Sequence, residues 1–145
     1  MIVLNLNESN LHELEILKTT ESNPVTILCE KATHETIDSV INVLKDFGSA
    51  VTELTLELTP PSNQPNHDLK EFDFASNCPK LESLRLTRCD VNESVIKHPT
   101  IKKLNLKKLG LCTNGIVQIG VDTGSAIEYL ELGDLNWCNR KKRIG

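Results

Sequence analysis

Five cysteines and four histidines are the residues with which this chain could do chemistry. Cys78 and Cys89 bracket the stretch CPKLESLRLTRC, which could be a metal site, a basic strand or one unit of a repeat. Structural zinc gathers its ligands in close pairs. Here no CxxC occurs, 11 residues separate the two thiols, and no histidine lies compactly beside them. Cys29, Cys112 and Cys138 add no closer pair, so all five read as small buried or half-buried side chains. Their odd number, without a tight disulfide framework, fits a reducing compartment. His12, His34, His67 and His98 fall in no HExxH and beside no nucleophile set. GLCTNG lacks the GK[ST] ending of a phosphate loop. No catalytic residue, cofactor or metal is therefore expected, and the chain reads as a non-enzyme.

What must position these residues is a core short of aromatic groups. The chain has 145 residues, 39% of them hydrophobic and only 3% aromatic, so one domain must be built from Leu, Ile and Val. A frame recurs: Leu81, Leu84, Leu86, Cys89; then Ile101, Leu104, Leu106, Leu109; then Ile127, Leu130, Leu132, Leu135. Val51, Leu54 and Leu56 start a further copy with Thr59 in its fourth slot, and Ile27/Cys29 and Leu4/Leu6 are weaker ones. The alternating centre of each frame predicts a short strand with one face buried. Between strands the period changes. Ile37, Val40, Ile41, Leu44 and Phe47 form a helical stripe, with Thr33 as its N-cap and Gly48 as its C-cap. SNLHELEILK predicts a shorter helix on Leu11, Leu14 and Leu17, and Val95 and Ile96 fill the core from a single turn before Pro99. GIVQIGVDTG predicts a brief helix. TPPSNQPNHD holds three of the six prolines and predicts a loop, followed by a convex segment from Asp68 to Asn77 with a strand as its alternative.

Spacings of 30, 20 and 26 residues between the central leucine pairs suit a β-α repeat array. LESLRLTRC, with Cys78 just upstream, resembles the cysteine-containing leucine-rich repeats of F-box proteins. The resemblance spans Val51 to Trp137 and, more loosely, residues 1–48. It implies an α/β leucine-rich-repeat solenoid over residues 1–145, with a curved parallel sheet and irregular helical or loop convex segments. It also implies a substrate-recognition segment of a ubiquitin ligase, although no F-box is present. Cys89 is replaced by Leu109 and Leu135 in later units, and no Asn stands in that slot.

In such an array the residues between buried leucines would face the concave side. Thr55, Arg85, Asn105 and Glu131 would form one row. Glu53, Ser83, Lys103 and Tyr129 would form the second, and Glu57, Thr87, Lys107 and Gly133 the third. This ladder, acidic at its start and basic in its middle, predicts a module that binds another protein carrying an acidic patch. A role as a structural part of a larger assembly is the alternative. A formal net charge of -4, and lysines without interleaved aromatics, argue against nucleic acid. No apolar run approaches a bilayer span, and MIVLNLNESNLHE shows no secretory signal. The expected location is the cytoplasm, or the nucleus should the RKKR of residues 140–143 act as a localisation patch.

Overall fold

The structure is a computed structural model and describes residues 2–7, 9–19, 24–62, 64–108, 110–113, 126–133 and 136–139. Each leucine frame forms a strand: β1 (Ile2–Leu6), β2 (Val25–Cys29), β3 (Glu53–Leu58), β5 (Ser83–Thr87), β7 (Lys103–Lys107) and β9 (Tyr129–Gly133). They pair in parallel in the order β1-β2-β3-β5-β7-β9. Register follows the hydrophobic alternation, since a slip of one residue would turn every leucine to the wrong face. Leu54 thus lies opposite Leu84, Leu84 opposite Leu104, and Leu104 opposite Leu130.

A second parallel sheet, absent from the sequence-based expectation, follows the first. It contains β4 (His67–Leu69), β6 (Cys89–Asn92), β8 (Gly110–Thr113) and β10 (Asn136–Asn139), in the order β10-β8-β6-β4. The chain passes from β5 to β6 through Arg88, at φ 67°, and Lys108, at φ 55°, follows β7. Left-handed backbone usually calls for glycine, so neither corner announces itself in the sequence. The Lys108 N–H donates to the Gly133 carbonyl, 2.8 Å away, tying that corner to the end of β9.

The helical layer is dominated by α1 (His34–Phe47). Thr33 caps it, its hydroxyl accepting from the Thr36 N–H, and Ile37, Val40 and Leu44 are buried. Gly48 follows in right-handed backbone at φ -63°, so the turn itself does not require glycine. Close packing does: a Cβ there would lie 2.7 Å from the Asn77 carbonyl oxygen and 2.7 Å from Cys78 Sγ. Leu11–Thr19 is a 3-10 helix that buries Leu14 and Leu17. Asp73 caps the one-turn α2 (Phe74–Asn77) through the Ala75 and Ser76 amides. Phe72 and Phe74 meet edge to face at 4.7 Å, and Val95 and Ile96 are fully buried beside them in the core. Burying each Leu, Ile or Val contributes about 1.5–3 kcal/mol, so the leucine columns carry most of the stability.

These observations correct the expected architecture. A leucine-rich-repeat solenoid would have one continuous curved sheet backed by irregular convex segments. This chain instead forms an α/β fold with two parallel sheets and interspersed helices, and segments expected on a convex side are strands of the second sheet. Asp68 to Asn77 divides between the end of β4 and α2. Cys89, the fourth position of its frame, opens β6. The resemblance to F-box leucine-rich repeats, and the solenoid and ligase-adaptor readings that rest on it, are therefore withdrawn. The expected helix in GIVQIGVDTG, the frame positions Leu109 and Leu135, and residues 140–143 lie outside the described residues, as does the side chain of Trp137.

Candidate functional site

In open parallel sheets, ligands settle where the strand order reverses. The order here never reverses, so no crevice is expected on that ground. A shallow cleft of about 560 Å³ does lie at the carboxyl ends of β1–β3, but Glu30, Lys31, Glu57 and Asn7 make it polar and of mixed charge.

A different concavity has chemical character. Between β3 and β4, residues 60–61 and 64–66 lie against the amino end of α1. Between them is a pocket of about 400 Å³ lined by Ala32, Thr33, His34, Pro60, Pro61, Gln64, Pro65, Asn66, His67 and Asp68. Three prolines and an alanine supply apolar walls, and two imidazoles supply the titratable chemistry. Local forces hold the walls in place. Asn66 Nδ2 donates to the Lys108 carbonyl at 2.9 Å, and the Ala32 N–H donates to the Thr59 carbonyl at 2.7 Å. Asp68 is occupied at the rim, its Oδ1 accepting from the Lys70 N–H and its Oδ2 lying 3.8 Å from Lys70 Nζ.

His67 is the informative residue. It is only 7% exposed, it starts β4 opposite Cys89, and its Nε2 is buried without a partner among the described residues. Burial pushes its pKa below 6.5 and the neighbouring His34 pushes the same way, while a hydrogen bond to the Ala32 backbone opposes them. A backbone group that raises an imidazole pKa is a carbonyl accepting its proton. The lowered pKa favours the neutral ring at pH 7.

The residues predicted from the sequence lie elsewhere, on the other face of the six-stranded sheet. Register places Glu53, Ser83, Lys103 and Tyr129 in one row, Thr55, Arg85, Asn105 and Glu131 in the next, and Glu57, Thr87, Lys107 and Gly133 in the third. The reading of these rows as a concave binding face falls with the solenoid. A second observation bears on it: the basic middle is partly satisfied from within. Lys107 Nζ lies 3.5 Å from Glu131 Oε1, and Asn105 Nδ2 donates to Glu131 Oε2.

Cys29, Cys78 and Cys89 are buried, as expected, while the side chains of Cys112 and Cys138 lie outside the described residues. Burial pushes Cys78 and Cys89 up to about 12, with Asp90 adding to the effect at Cys89, and burial raises Cys29 as well. Among the described residues no group of His, Cys, Asp and Glu is arranged to hold a metal ion. The sequence reading passed over His67 because it sought motifs. The available signal was weaker, with His67 and Leu69 alternating immediately after a proline-rich loop.

Comparison with known proteins adds no relative: no family model, curated protein or solved structure matches the chain.

Proposed function

We propose that this chain is a ligand-binding domain whose site is the pocket between the Pro60–Asn66 loop and the start of α1. The observation that carries the reading is a pocket of about 400 Å³, within the roughly 300–1,000 Å³ usual for small-molecule sites, walled by prolines and containing a perturbed imidazole. The role is binding, not catalysis. The pocket offers apolar surface and hydrogen-bonding groups, and the Thr33 hydroxyl is already engaged in capping α1.

Screening small aromatic and aliphatic compounds by amide chemical-shift mapping tests this. Hits are expected to perturb residues 32–34 and 60–68 together. A screen without hits, or with hits confined to other surfaces, would refute the proposal.

A further inference from the structure

We infer that β9 pairs with β9 of a second copy, antiparallel about a twofold axis through Glu131, so that one sheet runs through both protomers of a dimer. The surface is separate from the pocket and stands independently of it. β9 ends the six-stranded sheet and hydrogen-bonds only to β7 among the described strands. Its leucines differ from their column mates. Leu130 and Leu132 are 37% and 42% exposed, whereas Leu104 and Leu106 on β7 are fully buried. Edge position alone does not explain this, because β1 ends the same sheet on the other side and still buries Leu4 and Leu6. Sheet edges are usually blunted by lysine, proline or a bulge. β9 has no lysine and no proline, its register with β7 is unbroken, and its one charge, Glu131, is held inward by Lys107 and Asn105.

The strand fits a copy of itself. The Tyr129 N–H donates to the Lys102 carbonyl, and the Gly133 carbonyl accepts from the Lys108 N–H, so these positions turn their main-chain groups towards β7. By the two-residue period, the N–H and C=O groups of Leu130 and Leu132 face outward. Antiparallel pairing centred on Glu131 sets Leu130 against the partner's Leu132 and joins these groups in four hydrogen bonds. The same alignment gathers the exposed leucines of both copies on the core face, continuing the apolar columns of β7. On the opposite face it sets the exposed Tyr129 against the partner's Gly133, where the missing Cβ leaves room for the ring. Glu131 then meets the partner's Glu131, and like charges directly opposite repel. Lys107 Nζ, 3.5 Å from Glu131 Oε1, supplies the offsetting charge in each copy. Head-to-tail pairing of β9 with β1 would extend without closing, and the covered leucines of β1 would offer it little apolar surface.

Light scattering on the full chain over a range of concentrations tests the pairing. The expected mass is that of two chains when concentrated, returning to one on dilution. Leu132→Lys places a charge on the shared edge and should leave a monomer whose circular dichroism matches the parent. Should that variant unfold, amide exchange on the parent gives the same test, with the Leu130 and Leu132 amides exchanging freely when dilute and protected when concentrated. Lys107→Ala leaves the two Glu131 carboxylates uncompensated and should weaken the dimer about fivefold, and adding Glu131→Gln should restore it. A single-chain mass and unprotected amides at every concentration would overturn the inference. So would a dimer that ignores both Leu132→Lys and Lys107→Ala, or species that keep growing with concentration as β1 pairing requires.

Discussion

Two histidines are buried in this molecule, and their surroundings differ in one respect that matters. His98 is fully buried and uses both ring nitrogens: Nε2 lies 2.8 Å from the Cys78 carbonyl, and Nδ1 lies 3.2 Å from the Thr100 amide nitrogen. Because one partner accepts and the other donates, the proton belongs on Nε2. Thr100 reinforces the corner through its hydroxyl, which donates to the Leu81 carbonyl at 2.6 Å. His67 is almost as buried, yet its Nε2 has no partner among the described residues. A histidine with both nitrogens satisfied by backbone acts as a structural bracket. One with a buried nitrogen left unpartnered, on a residue that lines a pocket, marks the candidate site.

The comparison can be broken by mutation. His98→Ala removes a fully buried ring and strands the Cys78 carbonyl and the Thr100 amide. A loss of about 3 kcal/mol or more is expected in denaturant unfolding. His67→Phe keeps the volume and removes an unpaired nitrogen, so stability at pH 7 should stay within about 1 kcal/mol of the parent. If the two variants lost equal stability, the distinction between bracket and site would fail.

The Cys78 thiol beneath the His98 corner sharpens the same contrast, because burial there is complete. Cys78 and Cys89, pushed up to about 12, should resist alkylation at pH 8 in the folded protein and react at once in denaturant. Since their folded pKa values lie above the ordinary 9.0, stability is full below pH 9 and falls as pH rises towards 12. An unchanged unfolding midpoint across that interval would contradict the burial.

His67 predicts the opposite window, with a smaller effect. Its folded pKa lies below 6.5, so between the two values the unfolded chain binds more protons. Its contribution is complete above about pH 6.5 and declines as pH falls through the folded pKa. His67→Phe should flatten that part of the stability profile, as measured by thermal unfolding from pH 7 to pH 4.5. The smallest effect belongs to the open sheet face. Lys107→Ala breaks a half-exposed pair with Glu131 and should cost no more than about 1 kcal/mol, diminishing with added salt.

The leucine columns were legible because strands of five or six residues display their period. Leu54/Leu56, Leu84/Leu86 and Leu104/Leu106 occupy the buried positions that alternation assigned them. The stripe of α1 and the Thr33 cap were legible for a similar reason, both being local. The second sheet was not. Its strands β4, β6 and β8 have three or four residues, too few to establish a period, and their corners use Arg88 and Lys108 where glycine would have marked a turn. Reading one sheet where there are two led directly to the solenoid.

By itself the amino-acid sequence determined the strands of the first sheet, their register and, in β1, β2, β3, β5 and β7, the face that each buries, because side-chain alternation is a property of neighbouring residues; in β9 Leu130 and Leu132 are exposed. Only the tertiary structure decided that a second sheet exists and that a proline loop meets the start of α1 around His67. Those outcomes depend on pairing across the chain. Ala32 and His67, which line one pocket, meet only after the intervening helix and strand have packed.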